Sequence, residues 1–202
     1  MKTITFGLTG SIACGKSTAT KTFTANGIPT VDADQVARQV VEPETIGWYC
    51  IRSAFGREYL NEDKTLNRTK LGALVFSNKD KLMVLNAIMG PLITVESKSQ
   101  LDKFHEAGHP IVGYDAALIV EQGNADKFRP LIVVACPLDI QLARLMKRNS
   151  LTETAAMNII NQQVPTIEKI KLADHVIDTS GSMEESVHQT ELIIKILRDL
   201  IQ

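Results

Sequence analysis

The sequence predicts an α/β fold, a parallel sheet flanked by helices, on three observations. Short β-prone runs alternate with helical patterns, a glycine-rich loop joins the first such run to the first helix, and a largely helical stretch interrupts the alternation from Glu42 to about Gly108. The first run is Thr3 to Leu8, and from Lys16 the pattern turns helical through Phe23 until Asn26-Gly27 stops it. A second run, Ile28 to Val31, ends in "DAD", and "QVARQVV" then reads as a helix closed by Glu42-Pro43. In the interrupting stretch "WYCIRSAF", "RTKLGALVF" and "SNKDKLMVLNAIMGPLI" read as helices parted by Gly, Asn and Asp clusters, with Ser77 and Asp80 as a capping box for the last. Strand signals return at Pro110 to Ala116 and at Pro130 to Cys136, the latter almost continuous in branched apolar residues, as expected of a strand buried on both faces. Helices follow from about Leu138 to Arg148 and over "TETAAMNIINQQ". "ADHVID" reads as a short strand, and Ser182 with Glu185 caps a final helix to Leu200. Such alternation is closed by right-handed crossovers into one parallel sheet.

Composition excludes several classes of function. A 202-residue chain, 44% hydrophobic and 22% charged, can bury one sizeable core with an insertion. Its formal net charge of -1 lacks the basic excess that nucleic-acid or anionic-membrane binding requires, so neither partner is expected. No apolar run reaches membrane-spanning length, and the N-terminal residues lack a signal-peptide core. Cys14, Cys50 and Cys136 show neither CxxC spacing nor a histidine at metal-ligand spacing, which fits a reduced, cytoplasmic protein. A monomer is expected.

Gly10, Gly15, Lys16 and Ser17 match the P-loop pattern G-x-x-x-x-G-K-[ST] at every fixed position. A chance match in a chain this long is on the order of 1%. The chemistry accounts for the residue types. Backbone N–H groups along Gly10, Ser11, Ile12, Ala13, Cys14, Gly15 and on to Thr18 can point at phosphate oxygens, aided by the dipole of the helix that follows. Lys16 would neutralise the β and γ phosphates of ATP and the Ser17 hydroxyl would coordinate Mg²⁺. Cys14 reads as a tolerated small residue rather than a redox switch, since no resolving cysteine is evident. A GTP switch is disfavoured because "NKDK", Asn78 to Lys81, carries its Asp one place too early for the guanine-reading motif and reads as a helix start.

A small kinase also needs a group that orients the acceptor and cations that meet the transferred phosphoryl group. Asp32 and Asp34 follow the second strand, where the chain leaves the C-terminal edge of the sheet. Asp32 reads as a helix cap and Asp34 as the catalytic carboxylate, with Arg38 as a competing i,i+4 partner. Arg144 and Arg148 share one helix face and are expected to close over the nucleotide. Asp115, at the end of "IVGYD", is a candidate for the Mg²⁺ shell. None of the four histidines is assigned chemistry.

"GLTGSIACGKST", "VDADQVARQVVEP", "LNAIMGPLI", "ARLMKRNSLT" and "LADHVIDTSGS" occur in the order and spacing of the dephospho-coenzyme A kinases, which the chain resembles over nearly its whole length. The resemblance implies transfer of the ATP γ-phosphoryl group to the ribose 3′-hydroxyl of dephospho-CoA, the last step of coenzyme A synthesis. It also implies a P-loop nucleotide-binding core over residues 1–33, 109–140 and 165–202, a helical CoA-substrate-binding insertion over 34–108, and a small helical lid over 141–164. It assigns catalysis to Asp34, Lys16, Arg144 and Arg148, and the adenine-side loop to "DTSG", including Ser180 and Gly181. The chain departs from the family pattern in the P-loop, where Ser11, Ala13 and Cys14 replace Gly, Gly and Ser. Gly90 stands where a His usually precedes Pro-Leu-Ile, Ala117 replaces a proline, and Thr166 and Lys169 stand where arginines are common. Read from the residues alone, two alternatives stay open: another small-molecule P-loop kinase acting on a nucleotide or nucleoside, and a non-catalytic nucleotide-binding protein.

Overall fold

The structure is a computed structural model that describes residues 3–202. Its sheet holds five strands, β1 (Ile4–Gly10), β2 (Thr30–Asp32), β3 (Ile111–Asp115), β4 (Leu131–Ala135) and β5 (His175–Asp178), in the order β2-β3-β1-β4-β5. The pairs β1–β3, β1–β4 and β4–β5 are all parallel. β3 and β4 are buried at every residue, for β4 as its almost continuous apolar run predicted. The helices are α1 (Lys16–Ala25), α2 (Ala33–Gln39), α3 (Ile46–Phe55), α4 (Arg68–Ser77), α5 (Lys79–Glu106), α6 (Leu138–Asn149), α7 (Glu153–Ile160), α8 (Thr166–Leu172) and α9 (Met183–Asp199). None is long and apolar enough to cross a membrane among the described residues.

The chain divides into two compact units, residues 32–102 and the remainder. In the sheet-containing unit, alternate residues of the strands face one side. Phe6 and Leu8 of β1, Ile132 and Val134 of β4 and Ile177 of β5 pack with Ala19 and Phe23 of α1 and with Ile193, Ile194 and Leu197 of α9. Phe6 and Phe23 meet with ring centroids 4.6 Å apart. A fully buried side chain of this size contributes about 1.5–3 kcal/mol, so this face anchors α1 and hence the loop that precedes it. Ser182 and Glu185 form the capping box expected for α9.

The unit of residues 32–102 is helical around its own core of Val41, Ile51, Phe55, Leu71 and Val75. Asp32, Thr45 and Asn67 cap α2, α3 and α4 with side-chain oxygens. The start of α5 differs from the sequence expectation. Ser77 ends α4 and turns its hydroxyl back on the carbonyls of Ala73 and Leu74, and Asn78 instead accepts the amide of Lys81 at 3.1 Å. α8 was not anticipated at all. It begins at Pro165, whose fixed φ suits a helix start and whose carbonyl accepts from Glu168 and Lys169.

Candidate active site

β1 runs straight into the phosphate loop. A Cβ on Gly10 would lie 2.6 Å from the Val134 carbonyl, so only glycine lets β1 and β4 approach here. Ala13 and Gly15 both adopt left-handed backbone, at φ 62° and 82°, and turn the chain into α1. The first turn of α1 carries no side-chain cap and no acidic residue, which leaves its positive end for an anion. Ser17 is exposed in that turn, next to the half-buried Lys16.

The loop is braced from outside. Ile12 donates its amide to Gln163 Oε1 at 2.7 Å and accepts from Gln141 Nε2 at 2.9 Å. Ser11 Oγ accepts from the Thr166 hydroxyl at 2.9 Å. Thr179 is buried beneath the loop. Its hydroxyl donates to the Cys14 carbonyl at 2.8 Å and accepts from Arg144 Nη1 at 3.1 Å, and Arg144 Nη2 also reaches the Thr179 carbonyl at 2.7 Å. Thr179→Val keeps the volume and removes the hydroxyl, leaving buried groups unsatisfied. We expect it to destabilise the protein by about 1–3 kcal/mol, read by denaturant unfolding; an unchanged midpoint would show that the brace carries no load.

Asp115 lies at the end of β3, in register with Leu8 of β1 and buried. One of its oxygens takes the ion pair with Lys16 Nζ and the other accepts from the Thr20 hydroxyl at 2.6 Å. Lys16, Thr20 and Asp115 therefore form one constellation at the base of the loop. A second ion pair, which nothing in the sequence pattern reveals, joins α8 to the segment after β3. Lys169 Nζ is fully buried, 2.7 Å from Glu121 Oε1 and 2.9 Å from the Ala117 carbonyl, and Glu121 Oε1 also accepts the Val164 amide at 3.0 Å.

The two arginines of α6 have different partners. Arg144 grips the residue after β5, whereas Arg148 is exposed and bonds the adjacent Asn149 side chain at 2.8 Å. Ser180 and Gly181 are exposed in the turn before α9, where the Ser180 amide bonds Asp178 Oδ1 at 2.8 Å. In the helical unit the two aspartates separate in role. Asp32 Oδ1 accepts the amides of Asp34 and Gln35 at 2.8 and 3.1 Å, which occupies it as a cap. The Asp34 side chain is exposed on the first turn of α2.

Cys14 is also not the isolated thiol that the sequence suggested. Its sulfur lies 3.6 Å from Cys136 Sγ, and the hydrogen bond from that thiol, with others from Thr166 and from backbone, brings the Cys14 thiol down to about 7. The same contact and burial push the Cys136 thiol up. Nothing in the spacing of residues 14 and 136 reveals this contact.

The dephospho-CoA kinase family model matches residues 4–185. The chain belongs to the dephospho-CoA kinase family. A dephospho-CoA kinase of Listeria innocua is 42% identical over 191 residues, covering 95% of this chain and 96% of that relative. Among solved structures, a Thermus thermophilus protein superposes with a TM-score of 0.85 at 27% identity over 99% of each chain. The dephospho-CoA kinase of Campylobacter jejuni superposes at 0.74 with 26% identity, over 98% of each. Membership makes this chain a phosphotransferase built on the family's parallel sheet.

Proposed function

We propose that the chain transfers the γ-phosphoryl group of ATP to the ribose 3′-hydroxyl of dephospho-CoA. The observation that carries this reading is the Lys16–Asp115–Thr20 constellation set under a positively ended helix and a loop of left-handed residues. In phosphoryl transfer the protein supplies positioning and charge, and little covalent chemistry. Lys16 exchanges its carboxylate partner for the β and γ phosphates. Loop amides from Ala13 to Thr18 hold the remaining phosphate oxygens. Asp34 accepts or orients the acceptor hydroxyl, for which an exposed carboxylate not used as a cap is available. Arg144, with Arg148 after reorientation of α6 and α7 as a lid, offsets charge on the transferred group.

Mg²⁺ fits the donors present. The Ser17 hydroxyl and the Asp115 carboxylate are hard oxygen ligands, and the described residues contain no group of three or more acidic, His or Cys side chains able to enclose an ion. That is the donor set of an ion held jointly with substrate phosphates. When bound there, Mg²⁺ would neutralise charge between the β and γ phosphates.

The helical unit offers the acceptor a cavity of about 640 Å³ whose apolar members include Val40, Ile46, Leu92 and Val95 and whose charged members are Glu42 and Glu96. Its mixed apolar and hydrogen-bonding lining suits the uncharged, amide-bearing arm of dephospho-CoA rather than its phosphates. The near-neutral net charge supports a small molecule rather than a nucleic acid as acceptor, and a cytoplasmic monomer is the form in which we propose that the chain acts.

The test is a mass-spectrometric assay of purified protein with Mg·ATP and dephospho-CoA, with adenosine and simple nucleotides as competing acceptors. We expect one added phosphate on dephospho-CoA alone. Preferential phosphorylation of a nucleoside or nucleotide would overturn the acceptor, and no product with ATP still bound would overturn the transfer.

A further inference from the structure

We propose that Cys14 and Cys136 are a redox-modification site, a thiol pair that a hydroperoxide converts to a disulfide and that thereby takes the phosphate loop out of service. The bond itself does not depend on the proposed acceptor; its effect is on nucleotide binding.

The geometry carries the proposal. The sulfurs lie 3.6 Å apart across a sequence separation of 122 residues, and both thiols are free. They need to close by about 1.5 Å to reach the disulfide length of about 2.05 Å. Cys14 stands in the loop between the left-handed residues Ala13 and Gly15, while Cys136 follows directly on β4. One partner therefore stands at the end of a sheet strand and the other in the turn of the phosphate loop. Cys136 also lines a cavity of about 560 Å³ together with Leu138, Ile160, Val164 and Ile167, which brings a small hydroperoxide up to the buried pair. The pair shares a proton. Cys136 donates to Cys14, the thiol brought down to about 7, and the Arg144 guanidinium faces the same spot.

The chemistry balances. The Cys14 thiolate attacks one oxygen of a hydroperoxide such as hydrogen peroxide, the O–O bond breaks, hydroxide leaves, and Cys14 becomes a sulfenic acid. The hydroxide takes the Cys136 thiol proton and departs as water. The Cys136 thiolate then attacks the Cys14 sulfur, the S–O bond breaks, and a second hydroxide leaves. Two thiol sulfurs are oxidised by two electrons and one peroxide is reduced. The new bond draws Cys14 toward β4, against its carbonyl's bond from Thr179, and turns the adjoining amides from the phosphate.

The full chain is treated with hydrogen peroxide, quenched, and examined by non-reducing mass spectrometry with peptide mapping, alongside binding of a fluorescent ATP analogue. We expect a loss of about 2 Da, a Cys14–Cys136 linked peptide, alkylatable Cys50, and nucleotide affinity down about tenfold or more, restored by dithiothreitol. Cys136→Ser and Cys136→Ala, each checked for folding by thermal melt, should bind the analogue as the parent does and keep that affinity after peroxide. Separate sulfinic acids, a dimer through Cys50, or a linked pair with unaltered nucleotide affinity would each overturn the proposal. None of these readouts requires an acceptor, so they stand apart from failure of the proposed transfer.

Discussion

Replacing Asp34 with Asn is expected to lower turnover by about 10²- to 10⁴-fold, the range that proton abstraction by a placed side chain supplies, and to leave ATP affinity unchanged. The substitution keeps the size of the side chain and removes its basicity. It also leaves the helix start intact, because the cap of α2 is Asp32, which receives the amides of Asp34 and Gln35. The matching change at Asp32 should act the other way round. Asp32→Asn retains a competent cap and should move turnover little, and Asp32→Ala should cost about 1 kcal/mol of stability. Single-turnover kinetics with ATP binding by calorimetry measures the Asn variants, and denaturant unfolding measures Asp32→Ala. Turnover unchanged in Asp34→Asn would remove the residue from the chemistry, and an equal fall in both Asn variants would show a shared structural effect.

Lys169→Met should destabilise the protein by about 3–5 kcal/mol, the usual consequence of removing one partner of a buried ion pair. Lys169 is fully buried, and its ammonium has the Glu121 carboxylate and the Ala117 carbonyl as partners. Without it Glu121 keeps the Val164 amide on one oxygen, while its other oxygen already has no partner. An uncompensated carboxylate would remain beside the site. Combining Lys169→Met with Glu121→Gln removes that charge, and most of the lost stability should return. The double-mutant cycle read by urea unfolding decides the matter: independent, additive effects would mean that the two groups do not act as a pair.

The succession of strands and helices along the chain was legible in the sequence, α8 excepted, because the strands fall in or beside short apolar runs and most helices carry a stop or cap of their own. The P-loop was legible because its conformation restricts residue types, with glycine at the close approach of Gly10 and at the left-handed Gly15. Local hydrogen bonding decided the misses. Ser77 and Asn78 are adjacent candidates for one cap, and only the backbone path chooses Asn78. α8 is a short helix whose start at Pro165 looks in sequence like a break. The braces of the site were illegible for a different reason. Gln141, Gln163, Thr166 and Thr179 are ordinary polar residues, and their roles arise from contacts that span from 35 to 165 positions. The same holds for Cys136, whose partner lies 122 residues away.

Gln141 near the start of α6 and Gln163 beyond the end of α7 bond opposite sides of one peptide-bearing residue, Ile12. The segment between them thus has both ends tied to the phosphate loop, and Arg144 within it is tied to Thr179, which in turn bonds Cys14 of that loop. The lid motion that we propose for Arg148 would therefore be coupled to the loop, because it must break these bonds or carry the loop with it.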